Sequence, residues 1–206
     1  GAVVGPGTGS TAVLPTSVEP AVSIVIPVFE QSAVTLRCLQ SIARAEVATP
    51  YEVIVVDDAS GDETSDVLDR CSGIRIVVNA ENLGYLRSTN RGAAESRADH
   101  VVLLNNDTEV GDGWLDRLLD VFRSFPDTGL VGARLVYPDG RLQEAGNIIW
   151  SDGSGWNYGR LDDPDDCRFS FVREVDYCSA ACLAVRRDLW EEVGGFDERY
   201  APAYYE

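Results

Sequence analysis

Apolar residues in this chain gather in short unbroken runs that end in polar clusters, and between those runs they recur every three or four positions. Val22-Ser23-Ile24-Val25-Ile26-Pro27-Val28, Tyr51 to Val56, Ile74 to Val78 and Val101-Val102-Leu103-Leu104 are the runs. Near-continuous apolar strands are the mark of a parallel sheet buried on both faces. Pro27 cannot donate to a ladder, so the first strand should end near it. Helical spacing follows each run. Ser32 is the expected N-cap of a helix over 33–45 that sets Val34, Leu36, Leu39 and Ile42 on one side. Further helices are predicted over 63–71, over 85–97, and around Trp114, Leu115, Leu118, Leu119 and Phe122. Strand and helix alternate four times, which predicts a parallel sheet with right-handed crossovers and helices on both faces.

The second half reads differently. Strands are expected over 130–137 and 146–150, around a Pro138-Asp139-Gly140 turn. Residues 151–166 read as a Gly- and Asp-rich loop, of a length that is usually functional or mobile. One or two strands are expected over 172–185, then a short helix over 188–193 stopped by Gly194-Gly195. Residues 1–20, rich in Gly, Pro, Thr and Ser, read as a tail or linker, and 21–206 as one domain. Gly5-Pro6-Gly7-Thr8-Gly9 lacks the strand before it and the helix after it that a phosphate loop requires.

Composition narrows the function. The formal charge is −17, from 17 basic and 34 acidic residues, which argues against a nucleic-acid partner. An anionic ligand would need a cation or an arginine to offset the field locally. No apolar run has the length of a membrane span and no signal peptide is visible, so the expected place is the cytoplasm, either free or at the inner face of a membrane. Five cysteines without a CxxC pair, and His100 as the only histidine, speak against zinc. Buried, reduced thiols are the expectation.

The chemistry gathers where the strands end. Pro27-Val28-Phe29-Glu30, Asp57-Asp58, Asn82-Leu83-Gly84 and Asn105-Asn106-Asp107 fall at the carboxyl ends of successive strands, where an open α/β sheet binds its ligand. Each also serves as an ordinary turn or helix start. Together they define a pocket better than any one alone. Asp107 is the candidate ligand of Mg²⁺ or Mn²⁺, ions that need few protein carboxylates when substrate phosphates complete the shell. The only histidine lies at a strand start, which disfavours a hydrolase triad. No GxxxxGK[ST] occurs, and the first strand–helix turn reads Pro-Val-Phe-Glu-Gln-Ser, against a nucleotidyltransferase loop and a dinucleotide fingerprint alike.

VSIVIPVFE (22–30), VIVVDDASGDET (53–64), NAENLGY (79–85), VVLLNNDTEV (101–110) and VGGFDERY (193–200), in that order, resemble a family 2 glycosyltransferase, closest to bacterial rhamnosyltransferase-like members acting on cell-surface polysaccharides. The resemblance covers residues 22–206. It implies a GT-A fold, a Rossmann-like, mostly parallel α/β sheet with a small antiparallel C-terminal part. It also implies an inverting, metal-dependent transfer from a nucleotide-sugar donor, of the dTDP-rhamnose or UDP-hexose type, to a saccharide or lipid-linked saccharide acceptor. By the same resemblance Pro27, Val28, Phe29 and Glu30 border the nucleoside and Asp58 bonds the base. Asn82 and Gly84 pass near base or ribose, and Arg87 faces the diphosphate. Asn105-Asn106-Asp107 matches the DxD motif, with Asn105 in place of the first aspartate and Asp107 as the metal ligand. Glu206 matches the first half of the acidic motif that supplies the catalytic base, and the expected aspartate would follow it. Gln143 to Gly146 and Trp150 to Tyr158 resemble segments near the donor sugar or acceptor. There Trp150, Trp156 and Tyr158 could stack on a sugar ring or simply pack. The competing reading is a GT-A-like module that binds nucleotide or glycan without transfer.

Overall fold

The computed structural model describes residues 11–202. Glu206 and the glycine-rich stretch 5–9 lie outside the described residues. In chain order the elements are β1 (Val22–Val28), α1 (Ser32–Arg44), β2 (Tyr51–Asp57), α2 (Thr64–Asp69), β3 (Ile74–Val78), α3 (Tyr85–Ala94), β4 (His100–Leu104), α4 (Trp114–Ser124) and β5 (Leu130–Gly132). They continue with β6 (Leu135–Val136), β7 (Leu142–Glu144), β8 (Asn147–Ile149), β9 (Gly155–Asn157), β10 (Cys182–Arg186) and α5 (Arg187–Val193). The central sheet has the order β3-β2-β1-β4-β10-β5. β1 to β4 are parallel, and β10 runs antiparallel to both β4 and β5.

The apolar runs are continuous because helices cover both faces. Ile24, Ile26, Val53, Val55, Val102 and Leu104 face one way, against Leu36, Leu39 and Ile42 of α1 and Leu115, Leu118 and Leu119 of α4. The alternate residues Val25, Ile54, Val56, Val101 and Leu103 face the other, against Leu86 and Ala93 of α3 and Trp190 of α5. Each such side chain contributes about 1.5–3 kcal/mol on leaving water. Pro27 sits past the end of the β1–β4 pairing, which stops at Val25, so its missing N–H costs β4 nothing.

Several expectations need correction. Ser32 is the first helical residue of α1 and not its cap; its amide instead donates to Asp62 Oδ2 at 3.2 Å, from the loop after β2. α3 stops at Ala94, short of residue 97, and α2 is confined to 64–69. The stretch 130–137 divides between two sheets, since β5 pairs with β10 while β6 pairs with β7. Within 151–166, Gly155–Asn157 is a strand paired with β8. Of 172–185 only the part from Cys182 is strand; before it Tyr177 makes a single isolated antiparallel bridge to Asn147 of β8. Of the five thiols, only Cys38 and Cys182 are buried; Cys167 is exposed. The described end of the stretch read as a tail is packed, with Ala12 and Leu14 in the core and Leu14 bonded to Ser72 O at 2.9 Å.

Candidate functional site

The ends of β1, β2, β3 and β4 lie side by side, because these strands are neighbours in the order β3-β2-β1-β4. Asp58 is their organiser. It is buried, at 3% exposure, and its carboxylate accepts from Asn79 Nδ2 at 2.6 Å, Leu83 N at 2.8 Å and Gly84 N at 2.9 Å. Asn79 also donates to Ser88 Oγ at 2.8 Å and accepts from Arg91. Asp58 thereby sets the shape of the Asn82–Gly84 loop, and its oxygens face protein donors. Gly84, with φ +80°, turns the chain into α3 in a conformation that glycine adopts freely.

The β1 and β2 loops are tied together. Asp58 N donates to Val28 O at 2.8 Å, Glu30 N to Ser60 Oγ at 2.8 Å, and Ser60 N to Asp57 Oδ1 at 3.0 Å. Glu30, Gln31 and Ala59 all hold φ near +60°, strained for residues with a Cβ. Pro27 and Val28 are buried beneath this edge, whereas Phe29, at 45%, and Glu30 are exposed.

After β4 the chain turns at Asn105-Asn106-Asp107. Asn106 Nδ2 donates to Thr35 Oγ1 at 3.0 Å, and Asn105 N donates to Ala181 O at 3.0 Å. The Oδ1 of Asn105 is buried with no partner among the described residues. Asp107 is exposed, and its negative charge is one of the causes, after burial, that push the Cys38 thiol up to about 12, so Cys38 is inert at neutral pH. Glu109 stands 3.7 Å from Arg37. Among the described residues no three His, Cys, Asp or Glu side chains converge. A divalent ion at this edge could be held by Asp107 and completed by ligand oxygens, a donor set that suits Mg²⁺ or Mn²⁺ with a diphosphate.

Arg87 projects from the first turn of α3, half-exposed, with its Nε 2.9 Å from Glu198 Oε2. One turn on, Asn90 makes a reciprocal pair with Phe196, Nδ2 to Phe196 O and Phe196 N to Oδ1, both at 2.9 Å. Gly195 is needed here, because a Cβ would meet Asn90 Oδ1 at 2.6 Å. α3 thus holds the segment that leads toward Glu206. Asn79 and Asn90 were missed as organisers: in sequence, one reads as a turn residue and the other as a polar helix position. Of the aromatics, Tyr158 is packed between Phe169 and Arg173, while Trp150 and Trp156 are more than half exposed.

A mostly parallel sheet with one reversed strand and an aspartate-bearing turn after β4 has the architecture of a GT-A fold. The chain belongs to glycosyl transferase family 2, whose model matches residues 23–194. An O-antigen biosynthesis protein of Myxococcus xanthus is 32% identical over 191 residues, covering 88% of this chain and 15% of that protein. An N-acetylglucosaminyl-diphospho-decaprenol L-rhamnosyltransferase of Mycobacterium tuberculosis is 29% identical over 187 residues, covering 80% of this chain and 61% of that protein. A mannosyltransferase from Pyrobaculum calidifontis, solved in complex with GDP-Man and Mn²⁺, shares the fold at a TM-score of 0.61 and 20% identity over 90% of this chain and 50% of its own. The chain thus spans less than two thirds of each of these relatives. Among the described residues no helix is long and apolar enough to cross a membrane.

Proposed function

We propose that this chain is the donor-binding part of an inverting, metal-dependent glycosyltransferase that moves a sugar from a nucleotide diphosphate to a saccharide or lipid-linked saccharide. The observation that carries it is the exposed Asp107 on the turn after β4, at the same sheet edge as an Asp58-braced loop, in a chain of family 2. A bound Mg²⁺ or Mn²⁺ would offset the charge growing on the departing diphosphate. Asp107 would hold that ion, and the unpartnered Asn105 Oδ1 is a further oxygen at the same turn. Phe29, Glu30, Asn82 and Gly84 would border the nucleoside, with Asp58 acting through the loop amides it holds. Arg87 would leave Glu198 for the diphosphate, at little expense because an exposed ion pair is worth at most about 1 kcal/mol. In the transfer, the acceptor oxygen bonds to the anomeric carbon as the bond to the diphosphate breaks. The hydroxyl proton would go to the Glu206 carboxylate, the base that the family resemblance implies. The O-antigen biosynthesis relative and the rhamnosyltransferase named for a decaprenol-linked sugar support a polysaccharide or lipid-linked acceptor, and the GDP-Man complex supports a nucleotide-diphosphate sugar as donor.

Calorimetry of UDP, dTDP and GDP, with Mn²⁺ and with EDTA, tests this on the wild type and Asp107→Ala. Binding that needs Mn²⁺ and weakens at least about tenfold in the variant is expected. Metal-independent binding, or none with any nucleotide, would overturn it.

A further inference from the structure

Glu144, at the end of β7, is a carboxylate where the fold offers no cation. It is 3% exposed, and among the described residues it forms no ion pair. Burial pushes its carboxyl up, against three hydrogen bonds that pull it down. Those bonds come from three separate segments. Asn147 Nδ2 of β8 donates at 3.2 Å, Asn157 Nδ2 of β9 at 2.7 Å, and the third donor is the backbone N–H of Ser179. Asn147 is itself buried, and among the described residues its Oδ1 has no partner while its Nδ2 faces Glu144. An apolar side chain of similar size would fill this space at lower cost, since a desolvated charge is expensive. A hub of three converging donors is what the carboxylate provides.

Ser179 lies in a strap, residues 177–181, that continues to the strand-end turn. Tyr177 O accepts from Asn147 N at 3.1 Å, and Ala180 O from the Tyr85 hydroxyl at 3.4 Å. Ala181 O accepts from Asn105 N at 3.0 Å and Thr108 Oγ1 at 3.3 Å, so one carbonyl grips both sides of Asp107. On the other side of Glu144, Asn157 pairs with Asn147 in a hairpin whose next pair is Ile148 and the exposed Trp156.

We propose that Glu144 is a positioning residue which, through Asn147 and the 177–181 strap that Asn147 holds at Tyr177 O, fixes the Asn105–Thr108 turn carrying Asp107 against the hairpin carrying Trp156. Its consequence for catalysis rests on the function proposed above; the mechanical linkage does not. Glu144→Gln keeps the shape but turns an –NH2 toward one of three donors. Adding Asn157→Asp reverses the polarity of the shortest contact and restores a donor–acceptor match.

Amide hydrogen exchange on the full chain, read by mass spectrometry, separates this linkage from a local packing role. In Glu144→Gln, amides in 104–110 and 178–182 are expected to exchange at least about fivefold faster, with β1 as protected as in the wild type. The double variant should return both segments toward wild type. If β1 also loosens, Asn157→Ala, at a half-buried position, is the milder variant and should give the same pattern at smaller amplitude. Faster exchange confined to 144–158, with 104–110 unchanged, overturns the proposal. Mn²⁺-supported nucleotide binding should weaken in Glu144→Gln and recover in the double variant. A wild type that binds no nucleotide would remove the proposed function and leave the exchange result to decide the linkage.

Discussion

Asp58 acts from behind the surface. Its two oxygens are filled by Asn79, Leu83 and Gly84, so a loop that borders the site is shaped by a charge that solvent does not reach. Asp58→Asn would set an –NH2 against one of these donors. Leaving a buried donor unpaired costs about 1–3 kcal/mol, which urea unfolding should show, together with weaker nucleotide binding. Unchanged stability would mean that the loop holds its shape without the carboxylate. Glu144 makes the opposite contribution. Its folded pKa lies above the unfolded value, so between the two the folded state binds more protons, and the charged carboxylate costs stability at neutral pH. That cost is relieved as pH falls through the raised value. The wild type should therefore gain on Glu144→Gln as pH is lowered through this window, and a pH-independent difference in urea unfolding would contradict it. At this scale the sequence is only half legible. Asp57-Asp58 and Asn105 to Asp107 stand out because they follow apolar runs. Glu144 and Asn90 follow nothing periodic; each depends on a partner that only folding brings near, Ser179 for one and Phe196 for the other.

Among the elements, α3 shows how packing overrides propensity. Gly92 lies inside this helix, where glycine is worth about 1 kcal/mol less than alanine. A Cβ there would meet Val25 Cγ1 at 2.4 Å and Val56 Cγ2 at 2.7 Å, both on wholly buried residues. Overpacking costs about 1–3 kcal/mol, so Gly92→Ala should destabilise despite its better propensity. A stabilised variant in urea unfolding would show that α3 can lift from the sheet. β1, β2 and β4 were legible almost to the residue, since burial on two faces writes each as one apolar run, and the edge strand β3, with Ile76 and Val78 exposed, was legible from its β-branched residues. β5 to β9 were not. Strands of two or three residues carry too little pattern, and few of their positions are buried. The side-chain cap of α1 was invisible for another reason: Asp62 reaches Ser32 from thirty residues away.

The whole molecule carries −17, and every one of its 17 basic residues is arginine. Many of these arginines pair with a carboxylate two residues off, as in Asp139–Arg141, Asp166–Arg168, Arg186–Asp188 and Asp197–Arg199. Such exposed local pairs add little stability and leave the net repulsion in place. Raising NaCl from low to moderate concentration should therefore stabilise the fold by screening, before any specific ion is added. Mg²⁺ or Mn²⁺ at matched ionic strength should add nothing further without nucleotide, because Asp107 alone is a poor cage. A large effect of the bare ion in thermal unfolding would point to a preformed site.

The chain leaves the central sheet after β5 and returns at β10, and these two strands are hydrogen-bonded neighbours, with Ala133 N on Cys182 O at 3.0 Å. Everything between them, both small sheets and both exposed tryptophans, enters and exits through a single doorway. Such a stretch is a cassette. It can lengthen, shorten or be exchanged between homologous chains without any strand of the main sheet shifting register. Recombination at residues 133 and 182 would then recast whatever this side of the molecule touches, and with it the Asn105–Thr108 turn that Ala181 grips, while the loops after β1, β2 and β3 keep their places.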